Sequence, residues 1–211
     1  MNNNNNDAII FGIYIPNNDK IFVLEYYLDI FVTHFLDCDF FFGINPSNAN
    51  SQITELIEKY EGRILIKYEF VNQECLVNSD VSCLQKGVEL LYKSGKKYRL
   101  IWFGHTKTSS RDKMDIGWSE KYAKRFWFRR KIISENFINS DKGAYGLDIT
   151  ISTCGIKKYQ PLTFRSEPDY ITMYHNFKYT ALPFFYVYTF FIIKGFIVDD
   201  FIRNCNPNFF S

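Results

Sequence analysis

Three side chains that can donate hydrogen bonds follow a run of apolar residues typical of a buried strand. In 99-RLIWFGHTK-107 the apolar run ends at Gly104, and His105, Thr106 and Lys107 come next, with Arg111 shortly after. Lysine supplies a point charge and a hydroxyl supplies a hydrogen bond, and no carboxylate interrupts the group. This set of donors suits a negatively charged ligand such as a diphosphate.

A carboxylate precedes these donors in the chain, within 78-NSD-80. Asp80 can hold a divalent cation or accept from a ribose or sugar hydroxyl. It is also a credible N-cap of the helix that follows, and one aspartate can do both jobs. A nucleotide-sugar, which carries a diphosphate and sugar hydroxyls, fits the donors and the carboxylate together.

Several familiar catalytic motifs are absent from the sequence. There is no GxxxxGK[ST] phosphate loop, no GxGxxG after the first apolar run and no GxSxG elbow. Only His34, His105 and His175 are available for a hydrolase triad. These absences argue against P-loop nucleotide hydrolysis, an NAD site and triad hydrolysis.

The first half of the chain alternates between strand-like and helix-like patterns. Because such crossover units give parallel strands, we predict an α/β fold: a single Rossmann-like domain with a central, mostly parallel sheet flanked by helices. Predicted strands are 8–15, 39–46, 63–70 and 99–104, and predicted helices are 19–36, 50–60 and 80–94.

Ligands of such sheets bind outside the carboxyl ends of the strands, near a switch in strand order. This rule brings the loops 14–18, 45–50, 71–80 and 105–111 into one crevice. The candidate ligand-binding residues are therefore Tyr14, Ile15, Pro16, Asn45, Asn48, Asn78, Ser79, Asp80, His105, Thr106, Lys107 and Arg111.

The second half is less regular. A basic helix is predicted over 117–136, a strand over 143–152 and a mixed, helix-rich region over 166–203. No linker separates it, so 8–211 is treated as one domain, with a nucleotide-sugar-binding half (8–110) and an acceptor half (111–211). Residues 1–7 are predicted to be a disordered Asn-rich tail, and the chain is expected to be the N-terminal part of a longer protein.

Composition limits the choice of partners and compartment. A formal net charge of +2 is too small to attract the whole protein to nucleic acid or to anionic lipid. No signal peptide is visible, and the apolar run 184–193, expected to be buried helix or strand, is too short to cross a bilayer. The chain has an odd number of cysteines, scattered along the sequence, which indicates reduced thiols and a cytoplasmic location. They are Cys38, Cys75, Cys83, Cys154 and Cys205.

The segment 124-KRFWFRRK-131 interleaves aromatic and basic residues. It could stack and neutralise single-stranded nucleic acid. The favoured interpretation is a solvated helix face, with the aromatics as a buried stripe. Contact with donor phosphates or a saccharide acceptor ranks second, ahead of nucleic-acid binding.

The segment ending in Tyr14-Ile15-Pro16, together with 78-NSDVSCLQKGVELLYKSGKKYRLIWFGHTK-107, resembles the GT-A-fold glycosyltransferases. More closely, the chain resembles the N-terminal domain of the multidomain chlorella-virus glycosyltransferases that glycosylate the major capsid protein. The resemblance implies hexosyl or deoxyhexosyl transfer from a UDP-sugar to an oligosaccharide or glycoprotein acceptor, with Mn²⁺ or Mg²⁺. It also implies that the loops of Tyr14, Asn45 and Asn48 hold the base and ribose, although all three could be plain turn residues.

The sequence departs from this family where an Asp-x-Asp metal motif is expected, because His105-Thr106-Lys107 stands there. Either Asn78-Ser79-Asp80 holds the metal, or Lys107 and His105 partly replace it in stabilising the departing UDP. Asp37-Cys38-Asp39 matches the motif literally but precedes the second strand, at the wrong end of the sheet. The missing motif also keeps open a catalytically inactive, glycan-binding domain.

The stereochemical course depends on a general base that the sequence does not single out. An inverting transferase needs a base beside the acceptor hydroxyl. Since no carboxylate stands out, retention is preferred. The possible bases are Asp112, Asp115, Asp148 and Asp169.

Overall fold

The computed structural model describes residues 6–72, 79–106, 117–146, 149–151, 184–186 and 190–204. The strands are β1 (Ala8–Ile13), β2 (Asp39–Ile44), β3 (Leu65–Phe70), β4 (Leu100–His105), β5 (Ala144–Gly146), β6 (Ile149–Ile151), β7 (Phe184–Tyr186) and β8 (Phe191–Lys194). The helices are α1 (Ile21–His34), α2 (Asn50–Glu61), α3 (Ser79–Lys93), α4 (Gly117–Arg125), α5 (Arg130–Ile138) and α6 (Gly195–Asn204), and short 3₁₀ helices cover Asn18–Lys20 and Trp127–Arg129.

Six strands form one mixed sheet in the order β3-β2-β1-β4-β8-β5, and β6 pairs with β7 separately. β1 to β4 run parallel, whereas β8 is antiparallel to both β4 and β5. The first four strands follow the order of the Rossmann nucleotide-binding fold. The prediction of an α/β fold with a mostly parallel sheet flanked by helices is confirmed.

The predicted elements of the first half are confirmed, with ends that differ by at most two residues. One of these differences changes the interpretation of Asp80. Because α3 begins at Ser79, Asp80 lies inside the first helical turn and not at the N-cap.

Helices cover both faces of the sheet. One face carries an aromatic core in which the Phe31 ring lies 5.2 Å from Phe11 and 5.3 Å from Trp127, centroid to centroid. The other face packs α3 against apolar side chains that include Ile10 and Phe41. Burial on both faces explains why β1 and β4 are continuous apolar runs without alternation.

The basic helix predicted over 117–136 is interrupted. Phe126 has φ −122° and ψ −67°, which ends α4 and leads through the 3₁₀ turn into α5. Phe126 and Trp127 are both fully buried. Neighbouring residues of a regular helix point about 100° apart, so the break lets both rings enter the core. The strand predicted over 143–152 is likewise divided, into β5 and β6.

The last two residues of the predicted disordered tail, Asn6 and Asp7, are held against the sheet. Asp7 is fully buried, and Arg99 binds its carboxylate through two hydrogen bonds of 2.9 and 3.1 Å. The backbone N–H of Arg99 also donates to the carbonyl of Asn6. The prediction of disorder is therefore wrong for Asn6 and Asp7, and residues 1–5 lie outside the described part of the chain.

The apolar segment 184–193 contributes β7 and part of β8. Phe190 and Ile192 are fully buried, as expected for core residues. In the part of the chain that the structure describes, no helix has the length and apolar character needed to cross a membrane.

Candidate functional site

The carboxyl ends of β1, β2, β3 and β4 lie along one edge of the sheet because these strands are parallel. From β1 the chain proceeds to β2 and β3 on one side, and β4 then returns to the other side of β1. The strand order therefore switches between β1 and β4. This is the position where open α/β sheets leave a ligand crevice.

Backbone hydrogen bonds continue past the strands at this edge. The N–H of Asn45 donates to Ile13 O at 2.8 Å, and the N–H of Val71 donates to Ile44 O at 2.8 Å. These bonds fix the starts of the loops that follow β2 and β3. The predicted loops are thus held by the sheet at their first residues.

Thr106 joins β4 to the loop after β1. Its N–H donates to Gly12 O, and its hydroxyl oxygen accepts from the N–H of Tyr14 at 2.9 Å. The same hydroxyl donates to the carbonyl of Tyr14 at 3.0 Å, and Thr106 is 5% exposed. The hydroxyl proton predicted to serve a diphosphate is therefore donated to the protein backbone, at the floor of the crevice.

His105 ends β4 beside Gly12 of β1. The imidazole is 4% exposed, and its centroid lies 5.6 Å from that of Phe190. Little of the ring is left for a ligand in this conformation. His105 thus forms part of the crevice floor.

The remaining described candidates divide by exposure. Ile15 is fully buried and belongs to the core, and Asn45 is 6% exposed. Tyr14 and Pro16 are half-buried, and Asn48 is exposed. Tyr14, Pro16 and Asn48 are therefore the candidates with surface to offer a nucleoside.

Helix N-termini converge on the same edge, because α1, α2 and α3 each follow a parallel strand that ends there. At the start of α2, Ser47 N–H donates to Asn50 Oδ1 at 2.8 Å, and Ala49 N–H donates to Ser47 Oγ at 3.1 Å. The positive ends of helix dipoles and their unpaired N–H groups favour anions. This edge is therefore suited to a phosphate-bearing ligand, although the protein has no glycine-rich phosphate loop.

Two glycines that are not among the predicted site residues, Gly43 and Gly87, bring α3 close to the sheet. A Cβ on Gly43 would lie 1.9 Å from the carbonyl oxygen of Cys83, so the first turns of α3 rest directly on β2. A Cβ on Gly87 would lie 2.6 Å from Ile10 Cγ2. Glycine inside a strand or helix often marks such close approach, and that signal was present in the sequence.

Several predicted residues lie outside the described part of the chain. They are Asn78, Lys107, Arg111, the possible bases Asp112, Asp115, Asp148 and Asp169, and the side chains of Ser79 and Asp80. Among the described residues, no three histidine, cysteine, aspartate or glutamate side chains come close enough to hold a metal ion. The roles of Lys107 and of a metal at Asp80 therefore stay predictions.

The Asp37-Cys38-Asp39 triplet lies at the opposite edge of the sheet, as expected. Asp37 accepts from Arg130 Nη2 at 2.9 Å, and this hydrogen bonding lowers the pKa of the Asp37 carboxyl. Asp39 accepts from Lys96 Nζ at 2.7 Å. Burial raises the pKa of the Cys38 thiol. The carboxylates of Asp37 and Asp39 are thus paired with basic side chains, at the edge of the sheet opposite the predicted ligand site.

In the segment 124–131, Phe126 and Trp127 are fully buried, as expected, but they enter the core at the break between α4 and α5 and do not form a stripe on one helix. Phe128 is 45% exposed. One exposed ring is a small platform for stacking bases, since single-strand binders stack successive bases on several aromatics.

The chain matches no known protein-family model and no curated protein sequence. What the fold defines is an α/β protein with a mostly parallel, Rossmann-like sheet whose strand order switches between β1 and β4, where such sheets bind their ligands. Any more specific function must be argued from the residues around that crevice.

Proposed function

We propose that this protein is a GT-A-like glycosyltransferase domain that transfers a sugar from a UDP-sugar to a glycan acceptor. The observation that carries the proposal is the switch point between β1 and β4, onto which the N-termini of three helices converge. An anionic diphosphate is the ligand that such an edge favours. The choice of sugar transfer as the reaction rests on the resemblance of segment 78–107 to this family.

The main electrostatic task in sugar transfer is stabilising the UDP leaving group as the glycosidic bond breaks. Lys107 follows Thr106 directly, and Thr106 is fixed to Gly12 and Tyr14 at the crevice floor. Lys107 is therefore our first choice for the cation that receives the diphosphate. The buried ring of His105 supports this loop from β4 and contributes less direct contact than the sequence indicated.

Asp80 is the residue that would hold Mn²⁺ or Mg²⁺ in a metal-assisted reaction, where the cation would neutralise the diphosphate. The described residues supply no further carboxylate, imidazole or thiol cluster for such an ion. Beside such an ion, Lys107 and the helix N-termini would stabilise the leaving group, because a cation and the positive ends of helix dipoles favour the diphosphate. The acceptor implied by the resemblance is a glycan of a viral capsid protein, which we include in the proposal.

A second candidate function is a domain that binds a nucleotide-sugar or glycan without turning it over. Two observations favour it: His105 is 4% exposed, and the Thr106 hydroxyl proton is donated to Tyr14. Both residues stand where the family carries its metal-binding carboxylates. Binding and turnover must therefore be measured separately.

Binding is tested by the melting temperature of the whole chain with UDP, GDP, CMP and ATP, each with and without Mn²⁺. We expect the largest rise with UDP. A further rise with Mn²⁺ would place the metal in the site and direct attention to Asp80. No rise with any nucleotide would refute the nucleotide-sugar site.

Turnover is tested by release of UDP from a panel of UDP-sugars with Lys107→Ala and a matched control, Lys97→Ala. Lys97 is an exposed lysine that precedes β4, at the opposite edge of the sheet. We expect Lys107→Ala to lower turnover by about 10²-fold with an unchanged melting temperature. UDP binding without release of UDP from any donor would select the non-catalytic candidate.

A further inference from the structure

A groove lies between α5 and β5, away from the switch-point crevice. Its volume is about 290 Å³. Ile133 and Phe137, which are 8% and 5% exposed, lie at the base of the groove. Ile132 and Tyr145 line it as well and are 61% and 44% exposed. Large apolar side chains that remain this exposed next to a groove are typical of a surface that binds a partner.

The charged side chains that line this groove, among the described residues, are all basic. Arg125, Arg129 and Lys142 line it, together with the polar side chains of Asn136 and Ser140. Among the described residues that line the groove, none is an aspartate or glutamate. The nearby carboxylate of Asp141 lies 3.3 Å from Lys142 Nζ but is 73% exposed, which leaves it in water. The groove therefore favours an acidic partner.

The third feature is the sheet edge. β5 is the last strand of the six-stranded sheet and pairs with β8 on one side. In the described part of the chain no strand pairs with its other side. An edge of this kind presents backbone N–H and C=O groups to which an extended peptide can add as a further strand.

We propose that this groove and the edge of β5 bind an extended acidic peptide segment of a partner protein. The peptide backbone pairs with β5, its carboxylates meet the arginine and lysine side chains, and an apolar side chain packs on Ile132 and Tyr145. Because side chains two positions apart on a strand point to the same side, the acidic and apolar residues that enter the groove occupy every second position of the peptide. The proposal stands independently of sugar transfer, since it uses none of the crevice residues.

The test measures fluorescence anisotropy of labelled peptides added to the whole chain. The probe is Glu-Thr-Phe-Thr-Glu-Thr-Glu, compared with the same peptide bearing lysine for glutamate and with an acidic peptide N-methylated at alternate amides. We expect saturable binding of the first peptide, weakened by salt. Binding of the lysine peptide should be at least about tenfold weaker, and N-methylation should remove binding.

The variants are Arg129→Glu and its matched control, Lys131→Glu. Both residues are exposed and lie two positions apart, but Lys131 lines a different cavity, on the other side of α5. We expect Arg129→Glu to weaken the acidic peptide at least about tenfold and Lys131→Glu to leave it within about twofold. Equal effects of the two variants, or equal binding of the acidic and lysine peptides, would overturn the proposal.

Two other occupants are distinguished in the same experiment. Tighter binding of an oligothymidylate than of the acidic peptide, lost in Arg129→Glu, would assign the groove to nucleic acid and overturn the proposal. Concentration-dependent dimerisation that Ile132→Asp abolishes and the acidic peptide does not inhibit would assign it to a second copy of the chain. A protein that stays monomeric and binds the acidic peptide supports the proposal.

Discussion

The amino and carboxyl edges of the parallel strands differ in the polar groups that they carry. At the amino edge, charged side chains neutralise one another: Asp7 is bound by Arg99, and Arg130 bridges Asp7 and Asp37. At the carboxyl edge of β1 to β4, the polar groups are backbone N–H groups, helix N-termini and uncharged side chains such as Thr106. Ion pairs dominate the first edge, and backbone geometry dominates the second.

This difference shows which edge is built for stability and which for a ligand. Buried ion pairs whose charges are already neutralised offer little to an incoming anion. The first turns of α1 and α2 carry no acidic residue, so these helix N-termini keep their favourable field for an anionic ligand. Substitutions at the two edges should therefore differ in size and in kind.

The largest effect is expected for Gly43→Ala at the carboxyl edge. The new Cβ would lie 1.9 Å from the Cys83 carbonyl oxygen, which is backbone and can move only with α3. We expect the free energy of unfolding to fall by more than about 3 kcal/mol, measured by urea denaturation. Gly62→Ala is the control, because a Cβ there meets no atom within 4 Å. Equal stability of the two variants would mean that α3 does not rest on β2.

Arg99→Ala tests the amino edge. Among the described residues, the variant leaves the fully buried Asp7 carboxylate with the 3.5 Å contact to Arg130 alone. An under-paired buried charge is costly, so we expect a loss of about 2–3 kcal/mol in the free energy of unfolding. UDP binding should be unchanged at a temperature where the variant is folded. Arg63→Ala, an exposed arginine with no ion pair among the described residues, should have almost no effect.

Thr106→Val sharpens the comparison at the carboxyl edge. Valine keeps the shape but removes the hydroxyl that accepts from Tyr14 N–H and donates to Tyr14 O. We expect a loss of about 1–2 kcal/mol in stability, together with weaker binding of UDP because the loop after β1 is released. Thr106→Ser, which retains the hydroxyl, should restore both. If serine and valine behave alike, the hydroxyl does not hold this loop.

The smallest effect is expected for Asp37→Asn, measured as stability against pH. The hydrogen bond from Arg130 lowers the pKa of Asp37 in the folded protein. The pair therefore stabilises the fold above the ordinary carboxyl pKa of about 4 and loses its contribution as the pH falls below that value. Because Asp37 is 69% exposed, the contribution should stay below about 1 kcal/mol.

Asp37→Asn should flatten the acid limb of the stability curve, and Asp141→Asn, at a 73% exposed surface pair, should not. An unchanged acid limb in Asp37→Asn would show that the Arg130 contact contributes nothing in solution.

The order of strands and helices in the first half could be predicted because the spacing of apolar residues in each segment follows from which of its faces are buried. Runs such as Ala8–Ile13 and Leu100–His105 are buried on both faces, and parallel strands require that pattern. The position of the crevice then followed from topology. Its candidate residues could be named from loop positions, but the sequence did not tell which of them point to solvent.

Other features could not be predicted from local patterns. The break at Phe126 arises because two consecutive rings are drawn into one core, which a single helical period does not represent. The order of Asn6 and Asp7 depends on Arg99, which lies 92 residues from Asp7 in sequence. The groove at β5 requires α5 and the last strand of the sheet to meet.

The sequence by itself determined the secondary structure of the first half, its parallel crossovers and the edge where a ligand crevice should lie. These properties depend on contacts within one element or between consecutive elements, so local pattern encodes them. Only the tertiary structure decided that Thr106 gives its proton to Tyr14, that His105 is buried against Phe190 and that the charges near Asp37 are already paired. Each of these depends on side chains far apart in the chain, whose distances are set when the two halves pack into one sheet.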